Sequence, residues 1–586
     1  MRTLRSSVSL RGHVITQSPL GSWGCHVTHK GWVRRFTAPA GRKEHLRVRP
    51  DGWGTSQEQR VRLSLLDLMV TQYYMNFGLI FRLGRDVNKA VVADILRRGL
   101  ERTLGECRHL AGTIEPDDEN AMDFSLVTRS DSEVPLVIHH LDEAPEDGVH
   151  GGRLSYAGLE ATRFTSLGLD HLDQLTISNM TKASPCAPQD RPRVAGFQLN
   201  FLAGGGAVLS VHLHHIAADA TGCAAIVRRL AAHCAHLVGV SNISSSFSSS
   251  FSTPTNPLPP PPFDHKTLAS RARLLRPPVP EADLVDQPPT PPRHPSWRPC
   301  AWLLFHIPAA SASELKRLAQ PKQGRVSTYD AVVAFLWRLV TRHRAALYEV
   351  DRSVPALLFQ SVNMRSRLNP AFPADFTGNL VCGGLSSNGL PADLPAPTVG
   401  EVAGDEIGAN EAVPLSHLAR VVRALTDGVT AETLSGVLAH LGRVRNKAQI
   451  HVRPDAMPPP SLGVTDCRAP FAAMRDADFG FGRPVAVRQL AGTAVMDNVI
   501  VFMCPPRHED KGLGAENEVE RILGLREGLE FMLPFEQHAV ARLLADPDVG
   551  RFMEFRGFEA ADLVSKATSH RSKTIGSVKL ALAASA

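Results

Sequence analysis

The sequence of 586 residues is poor in cysteine and has no long apolar run. Its nine cysteines are scattered and no two lie in CxxC spacing, which excludes a cysteine zinc site and a dense disulfide framework. Gly, His or Arg interrupts each apolar segment well before the ~18 residues that a membrane helix needs. The Gly-x-Ser-x-Gly turn of serine hydrolases is also missing. We therefore expect no membrane span and a reducing compartment, the cytoplasm.

Acidic residues are missing from the N-terminus. The first 43 residues contain neither Asp nor Glu, and residues 1–60 hold 11 Lys and Arg against 3 acidic residues. The rest of the chain is near neutral, so it lacks the clustered basic charge of a nucleic-acid-binding face. We predict a basic disordered leader over residues 1–60. Organelle targeting by residues 1–43 is the alternative to a cytoplasmic location, because transit peptides have this composition.

The middle of the chain has the composition of a linker. Hydrophobic residues at 43% and charged residues at 21% are typical of a globular protein, and the length favours more than one core. Ser runs and Pro runs dominate residues 241–299, and such segments are flexible or extended. We predict an N-terminal subdomain over 61–240, a crossover linker over 241–299, a C-terminal subdomain over 300–560 and a tail over 561–586.

Helices and strands alternate in both predicted subdomains. Apolar residues at helical spacing predict an amphipathic helix over 89–104. The segment GFQLNFLAGGGAVLSVHLHHIAADATGCAAIVRRL predicts two strands around a glycine turn, then a loop at 214–222 and a helix that begins near Gly222. In the second half, Ser327 or Thr328 can cap a helix. This alternation is typical of α/β proteins.

A candidate catalytic pair lies in the loop after the second of these strands. Residues 212–219 read HLHHIAAD, so His215 precedes Asp219 by four positions. Histidine titrates near neutral pH and can accept a proton from an attacking alcohol or amine. The aspartate can orient the loop or select the histidine tautomer. By itself the pattern is short, and it also fits an ordinary polar loop.

A second pattern, DFGFGRP, occupies residues 478–484. It begins like the magnesium motif of protein kinases, but the other kinase motifs are missing. Together, the two patterns resemble the HxxxDG and DFGWG motifs of the BAHD acyltransferase family, in its fungal transferase-like branch. Further stretches look like family landmarks: LSLLD at 63–67, HLAG at 109–112, STYD at 327–330, NMR at 363–365 and TGN at 377–379. The resemblance covers about residues 61–555.

This resemblance implies an α/β fold of two similar mixed-sheet subdomains, as in chloramphenicol acetyltransferase. A long crossover would join them, with an active-site channel between. The implied activity is acyl-CoA-dependent O-acyl transfer, or N-acyl transfer as an alternative, with acetyl-CoA as donor and a small secondary metabolite as acceptor. His215 would act as general base in a ternary complex. The resemblance implies no permanently bound cofactor and no metal, and we expect a monomer.

The resemblance also implies roles for individual residues. Asp219 would be mainly structural and pair with an arginine of the other half, for which Arg365 is the candidate; a loop arginine without such a role is the alternative. The channel-shaping residues would be Asp478, Phe479, Gly480 and Gly482, and the candidate coenzyme A contacts are Ser327, Thr328 and Arg483. The chain departs from the family pattern at Ala220, where glycine is usual, and at Phe481, where tryptophan is usual.

Three alternatives stay open. The close spacing of His212, His214 and His215 admits a metal site, although no partner motif such as HExxH accompanies it. A condensation domain of a peptide synthetase shares the HHxxxD arrangement and would use carrier-protein thioesters. A non-catalytic relative that only binds a small molecule would keep the channel without the chemistry.

Overall fold

A computed structural model of the chain describes most of its length. The described residues are 41–52, 57–84, 86–117, 122–143, 154–165, 171–181, 187–240, 270, 273–286, 292–387, 389–404, 413–450, 452–491, 498–507 and 527–561. Residues 1–40 of the predicted leader, residues 241–269 of the predicted linker and nearly all of the predicted tail lie outside them.

The strands of the described residues build three sheets. They are β1 Arg42–Val48, β2 Gln59–Arg62, β3 Tyr74–Arg82, β4 Thr113–Pro116, β5 Phe124–Thr128, β6 Val134–His140, β7 Ala195–Leu202, β8 Gly206–His214, β9 Cys300–Ile307, β10 Leu358–Asn363, β11 Val381–Leu385, β12 Leu462–Asp466, β13 Ala486–Gln489, β14 Val499–Met503, β15 Leu529–Glu536 and β16 Glu554–Ala561. The orders are β1-β6-β7-β8-β3-β13, β11-β10-β12-β14-β15-β9-β16 and β2-β5-β4. The two large sheets are mixed, since β6 and β7 run parallel, as do β10, β12 and β14.

Helices cover the large sheets. They are α1 Leu65–Leu68, α2 Lys89–Glu106, α3 Tyr156–Ala161, α4 Leu172–Leu175, α5 Ala220–Val240, α6 Ala309–Leu318, α7 Thr328–Leu347, α8 Val399–Ala403, α9 Leu415–Gly428, α10 Ala431–Gly442, α11 Arg468–Arg475, α12 Val540–Leu544 and α13 Pro547–Phe552. Helix α2 confirms the helix predicted over 89–104. Helix α7 has Ser327 as its N-cap, in a capping box with Asp330.

The second half of the chain contributes to the first sheet. Strand β13 pairs with β3 in antiparallel register, with Val487 opposite Leu79. Helix α11 packs on α5 of the first half, and Phe471 meets Phe77 edge to face at a centroid distance of 5.6 Å. The first large sheet therefore contains strands from both sides of the boundary predicted at residue 300.

Strand β1 corrects the predicted leader. It pairs with β6 along its whole length, although the leader was expected to be disordered up to residue 60. Most side chains of β1 are exposed, since this strand forms one edge of its sheet. Strand β1 is ordered by backbone hydrogen bonds to β6, so its sequence lacks the alternating apolar pattern that would predict a strand.

Parts of the predicted linker pack against the rest of the protein. Leu275 and Trp297 are both buried. The Arg344 guanidinium lies 4.7 Å from the Trp297 ring, and Arg276 pairs with Asp123. Most of the other described residues between 270 and 299 are exposed or partly exposed, and the assignment of 241–299 as a crossover linker stays a prediction.

Candidate functional site

His215 lies immediately after strand β8, where the two halves of the chain meet. Its backbone N–H donates to the carbonyl oxygen of Tyr73 at 3.0 Å. Its imidazole stands edge-on to the Tyr73 ring, with the centroids 5.6 Å apart and the planes at 85°. The side chain is partly exposed. A small molecule can therefore reach this imidazole.

The neighbouring histidines are buried. His212 and His214 are both 0% exposed. The His212 Nδ1 lies 3.0 Å from the Asn76 Oδ1 and 3.1 Å from the Met180 carbonyl oxygen, and burial lowers the His212 pKa to about 4. His214 accepts a hydrogen bond from the backbone N–H of Ile216. These two side chains support the loop, which leaves His215 as the accessible base.

The histidines do not form a metal site with other ligands in the structure. Across the described ranges, no three His, Cys, Asp or Glu side chains converge in an arrangement that could hold a metal ion. Both ring nitrogens of His212 are hydrogen-bonded, to Asn76, Met180 and the backbone N–H of Ile177. The geometry therefore gives the metal alternative no support.

Asp219 forms a buried ion pair with Arg365 across the two halves. Two guanidinium nitrogens of Arg365 each donate to one carboxylate oxygen at 2.9 Å, and each residue is 3% exposed. The carboxylate also accepts from the backbone N–H groups of Gly222 at 2.8 Å and Leu380 at 2.9 Å. Both carboxylate oxygens of Asp219 thus accept hydrogen bonds from other parts of the protein. The predicted contact between Asp219 and Arg365 is present, and it holds protein segments together.

Arg365, which lies just after β10, also holds a later part of the connection between β10 and β11. Its guanidinium donates to the carbonyl oxygens of Phe376 and Gly378, each at 2.8 Å. A buried arginine in a bidentate pair with further carbonyl partners has its charge and its donors satisfied. This network fixes the loop at 376–380 against the loop of His215.

The departure at Ala220 is explained by Gly222. Ala220 is the first residue of α5 and lies where a side chain is tolerated. At Gly222, in contrast, a Cβ would lie 2.0 Å from the carbonyl oxygen of Thr377, which is far inside contact distance. The turn after Asp219 therefore needs its glycine two positions later than the family pattern places it.

Asn379 and Asp67 were not predicted as site residues. The Asn379 Nδ2 lies 2.9 Å from the carbonyl oxygens of both His215 and Ile216, and 3.0 Å from the Asp67 Oδ1. Asp67 closes a capping box with Ser64 at the start of α1. Both residues belong to stretches noted as family landmarks, LSLLD and TGN, but nothing in the sequence said what they contact.

The DFGFG segment lies far from His215. Phe479 and Phe481 pack on Phe81, with centroid distances of 5.2 and 5.4 Å. Phe81 is seven residues from Tyr74 on β3, which is about 24 Å at ~3.4 Å per residue, and Tyr74 is paired with His214. The segment therefore does not touch the base.

Two glycines make the tight turn of this segment. The φ angle is +78° at Gly480 and +148° at Gly482, and a Cβ on Gly480 would lie 2.7 Å from a Val238 methyl group. The backbone N–H of Phe479 donates to the Gly482 carbonyl oxygen, and that of Gly480 to the Asp478 carboxylate. The turn delivers β13 to the edge of β3.

The three candidate coenzyme A contacts lie in two parts of the fold, because Ser327 and Thr328 are adjacent and Arg483 is not near them in the sequence. Ser327 caps α7, and its hydroxyl is engaged by Asp330 and Arg423. Thr328 is the first residue of that helix. Arg483 follows the DFGFG turn, where its Nε lies 3.4 Å from the Asp478 carboxylate. The role of all three in binding stays a prediction.

Comparison with known families identifies the chain. The Transferase family model matches residues 160–520. The chain belongs to the Transferase family of BAHD-type acyltransferases. A second model, the Trichothecene 3-O-acetyltransferase-like N-terminal domain, matches residues 73–234. This confirms the resemblance to the fungal branch, and it makes the protein a coenzyme A-dependent acyltransferase.

Individual relatives agree with this assignment. The chain is 32% identical to the acetyltransferase FGR3 of Gibberella zeae over 523 residues, which are 88% of this chain and 95% of the relative. It is 24% identical to trichothecene 3-O-acetyltransferase TRI101 of Fusarium sporotrichioides, over 71% of this chain and 83% of that protein.

Solved structures of this family share the fold. The crystal structure of F. sporotrichioides TRI101 with coenzyme A and T-2 has a TM-score of 0.60 at 19% identity, covering 85% of this chain and 100% of that one. The crystal structure of vinorine synthase has a TM-score of 0.54 at 18% identity, covering 85% of this chain and 96% of that one. The predicted α/β fold with two mixed sheets is confirmed. In the part of the chain that the structure describes, no helix has the length and apolarity to cross a bilayer.

Proposed function

We propose that this protein transfers an acetyl group from acetyl-CoA to a hydroxyl of a small secondary metabolite, with His215 as general base. The observation that carries the proposal is the accessible imidazole of His215 at the meeting of the two halves, beside a buried Asp219–Arg365 pair. The relatives FGR3, an acetyltransferase, and TRI101, a 3-O-acetyltransferase, support acetyl transfer, and TRI101 supports a hydroxyl acceptor.

The reaction follows from the chemistry of a neutral imidazole. His215 accepts the proton of the acceptor hydroxyl while the oxygen attacks the thioester carbonyl of acetyl-CoA. The tetrahedral intermediate collapses, the carbon–sulfur bond breaks, and the coenzyme A thiolate takes a proton back from the imidazolium. The new ester and free coenzyme A then leave. Holding both substrates in line with the base supplies much of the acceleration.

The other predicted residues have supporting roles in this proposal. Asp219 and Arg365 hold the loop of His215 and do not touch the substrates. Asp478, Phe479, Gly480 and Gly482 shape the protein away from the reacting atoms. Coenzyme A contacts are proposed for Ser327, Thr328 and Arg483. We propose a cytoplasmic monomer that needs no metal and no permanently bound cofactor.

The test is release of free coenzyme A thiol from acetyl-CoA in the presence of a panel of alcohols and amines. Wild type is compared with His215→Ala and with His417→Ala, a partly exposed histidine on α9 that serves as control. We expect acceptor-dependent release that falls by about 10²–10⁴-fold in His215→Ala, the range for loss of a general base, and is unchanged in His417→Ala.

Two outcomes would contradict the proposal. Coenzyme A release that is unchanged in His215→Ala would show that His215 is not the general base. No release with any acceptor would move the protein toward carrier-bound thioesters or toward a binding role without catalysis. Acylation of amines alone would correct the acceptor class and leave the mechanism in place.

A further inference from the structure

We propose that Asn379 is a positioning residue that fixes the loop of His215 from the opposite half of the chain, with Asp67 as its anchor. This inference rests on the proposed function, since it concerns the base of that reaction. Asn379 and Asp67 lie in the TGN and LSLLD stretches, which the mechanism leaves without a role.

The first step of the argument is the position of the Asn379 amide. Its Nδ2 donates toward the carbonyl oxygens of His215 and Ile216, and toward the Asp67 Oδ1, all within 3.0 Å. The backbone N–H of Asn379 also donates to the Asp67 Oδ1, at 3.2 Å. Asn379 is 1% exposed. The amide is thus clamped between a carboxylate of one segment and two carbonyl groups of the catalytic loop.

The second step concerns what these bonds hold. The peptide before His215 is fixed because its N–H donates to the Tyr73 carbonyl oxygen. The peptide after His215 is fixed because its carbonyl oxygen accepts from Asn379 and from the backbone N–H of Ala218, the latter at 3.3 Å. Peptide units are planar, so restraining both flanking units sets the φ and ψ angles of His215 and hence the direction of its Cα–Cβ bond.

The third step is that the position requires a donor. Every oxygen facing the Asn379 Nδ2 is an acceptor: one carboxylate and two backbone carbonyls. An aspartate of the same size would place a carboxylate against these three acceptors. Because misplacement of a catalytic group by ~1 Å can reduce turnover about 10²-fold, a small shift of this loop has a large effect on the reaction.

The test variant is Asn379→Asp, which keeps the shape of the side chain and replaces its donor. The matched control is Asn498→Asp. Asn498 is also buried, and its amide likewise donates to a backbone carbonyl, that of Pro454 at 2.8 Å, and to the Ser461 hydroxyl. Each substitution removes a buried amide donor, but only the first does so beside His215.

Two measurements are made on the folded, full-length proteins. Hydrogen–deuterium exchange is followed for a peptide covering residues 214–219, and kcat and the KM for acetyl-CoA are measured with the acceptor that wild type accepts. If Asn379→Asp does not fold, Asn379→Ala and Asn498→Ala replace the two variants, since truncation removes the donor without adding charge.

The inference predicts a specific pattern. Exchange at 214–219 rises in the Asn379 variant and not in the Asn498 variant, while kcat falls at least 30-fold and the KM for acetyl-CoA stays within threefold. Wild-type exchange at 214–219 would overturn the inference, as would a kcat within threefold of wild type or an equal loss in the Asn498 variant.

Failure of the proposed function would look different. Wild type would then release no coenzyme A, or His215→Ala would match it. In that case the exchange measurement alone decides whether Asn379 holds the loop.

Discussion

The HxxxD loop and the DFGFG segment are the two motifs that mark this family, and they lie at opposite ends of strand β3. The first presents one partly exposed histidine, His215, over a buried network of charge and hydrogen bonds that joins both halves. The second is an apolar turn, in which Phe479 and Phe481 pack on Phe81 and two glycines adopt positive φ angles.

The difference shows that a distinctive motif need not hold reacting groups. The HxxxD loop combines access with support, which is what a general base requires. The DFGFG segment has buried rings and a turn that leads into β13, so its residues act on the architecture. Variants at the two places should therefore separate loss of turnover from loss of stability.

After His215→Ala, the largest effect on turnover is expected from Asp219→Ala. The substitution leaves the Arg365 guanidinium buried without its carboxylate, which costs about 3–5 kcal/mol of unfolding free energy, and it releases the loop of His215. We expect kcat to fall more than about 100-fold. Urea unfolding and coenzyme A release measure the two effects.

The control for Asp219→Ala is Glu101→Ala, which removes an exposed ion pair with Arg97 on α2. It should change the free energy of unfolding by no more than about 0.5 kcal/mol. An Asp219 variant as stable and active as this control would show that the buried pair does not support the loop.

Gly222→Ala should have the next largest effect. The new Cβ would meet the Thr377 carbonyl oxygen, so the backbone of the loop at 376–380 must shift. We expect about a tenfold loss of turnover and a loss of stability of about 1–3 kcal/mol. Ala220→Gly, which restores the usual family residue, should cost no more than about 1 kcal/mol and leave turnover unchanged. Equal behaviour of the two variants, in activity assays and thermal unfolding, would contradict the assignment of the essential glycine to Gly222.

Arg483→Ala tests whether the DFGFG end of the molecule contacts coenzyme A. Loss of an exposed charge contact worth about 0.2–1 kcal/mol should raise the KM for acetyl-CoA up to roughly fivefold, with kcat unchanged. The control is Arg317→Ala, an exposed arginine on α6. If initial rates give the same KM for both variants, Arg483 serves only its contact with Asp478.

Phe479→Ala is expected to lower stability with little effect on turnover. Removing this buried ring should lower the free energy of unfolding by about 3–5 kcal/mol. The kcat of the folded fraction should stay within twofold of wild type, because the ring lies far from His215. Lost turnover at unchanged stability would place the DFGFG segment in the chemistry and remove the contrast between the two motifs.

Much of the site could be predicted because its signals are local. His215 and Asp219 lie within five residues of one another. Arg365 became the candidate partner of Asp219 only because Asn363-Met364-Arg365 resembles a family landmark. Helix α2 and the Ser327 cap follow from apolar spacing and from a capping box, both of which involve neighbours in the sequence.

The rest depends on contacts between distant parts of the chain. Strand β13 pairs with β3, which lies more than 400 residues earlier in the sequence. Nothing in the four residues of β13 indicates this partner. The role of the Asn379 amide depends on the carbonyl oxygens that it contacts, and these belong to a distant part of the sequence. Strand β1 is ordered by backbone pairing, which is common to all sequences and leaves exposed side chains free to vary.

The pairing of β13, from the second half of the chain, with β3 has a consequence for synthesis of the protein. The ribosome completes β3 long before it reaches residue 489, and at ~5–20 residues per second the interval is roughly 20–80 s. Once β8 has paired with β3, β3 is the edge strand of this sheet until β13 is made, and an edge with unpaired backbone groups is a site for aggregation. The sheet that ends next to His215 is therefore finished late in translation.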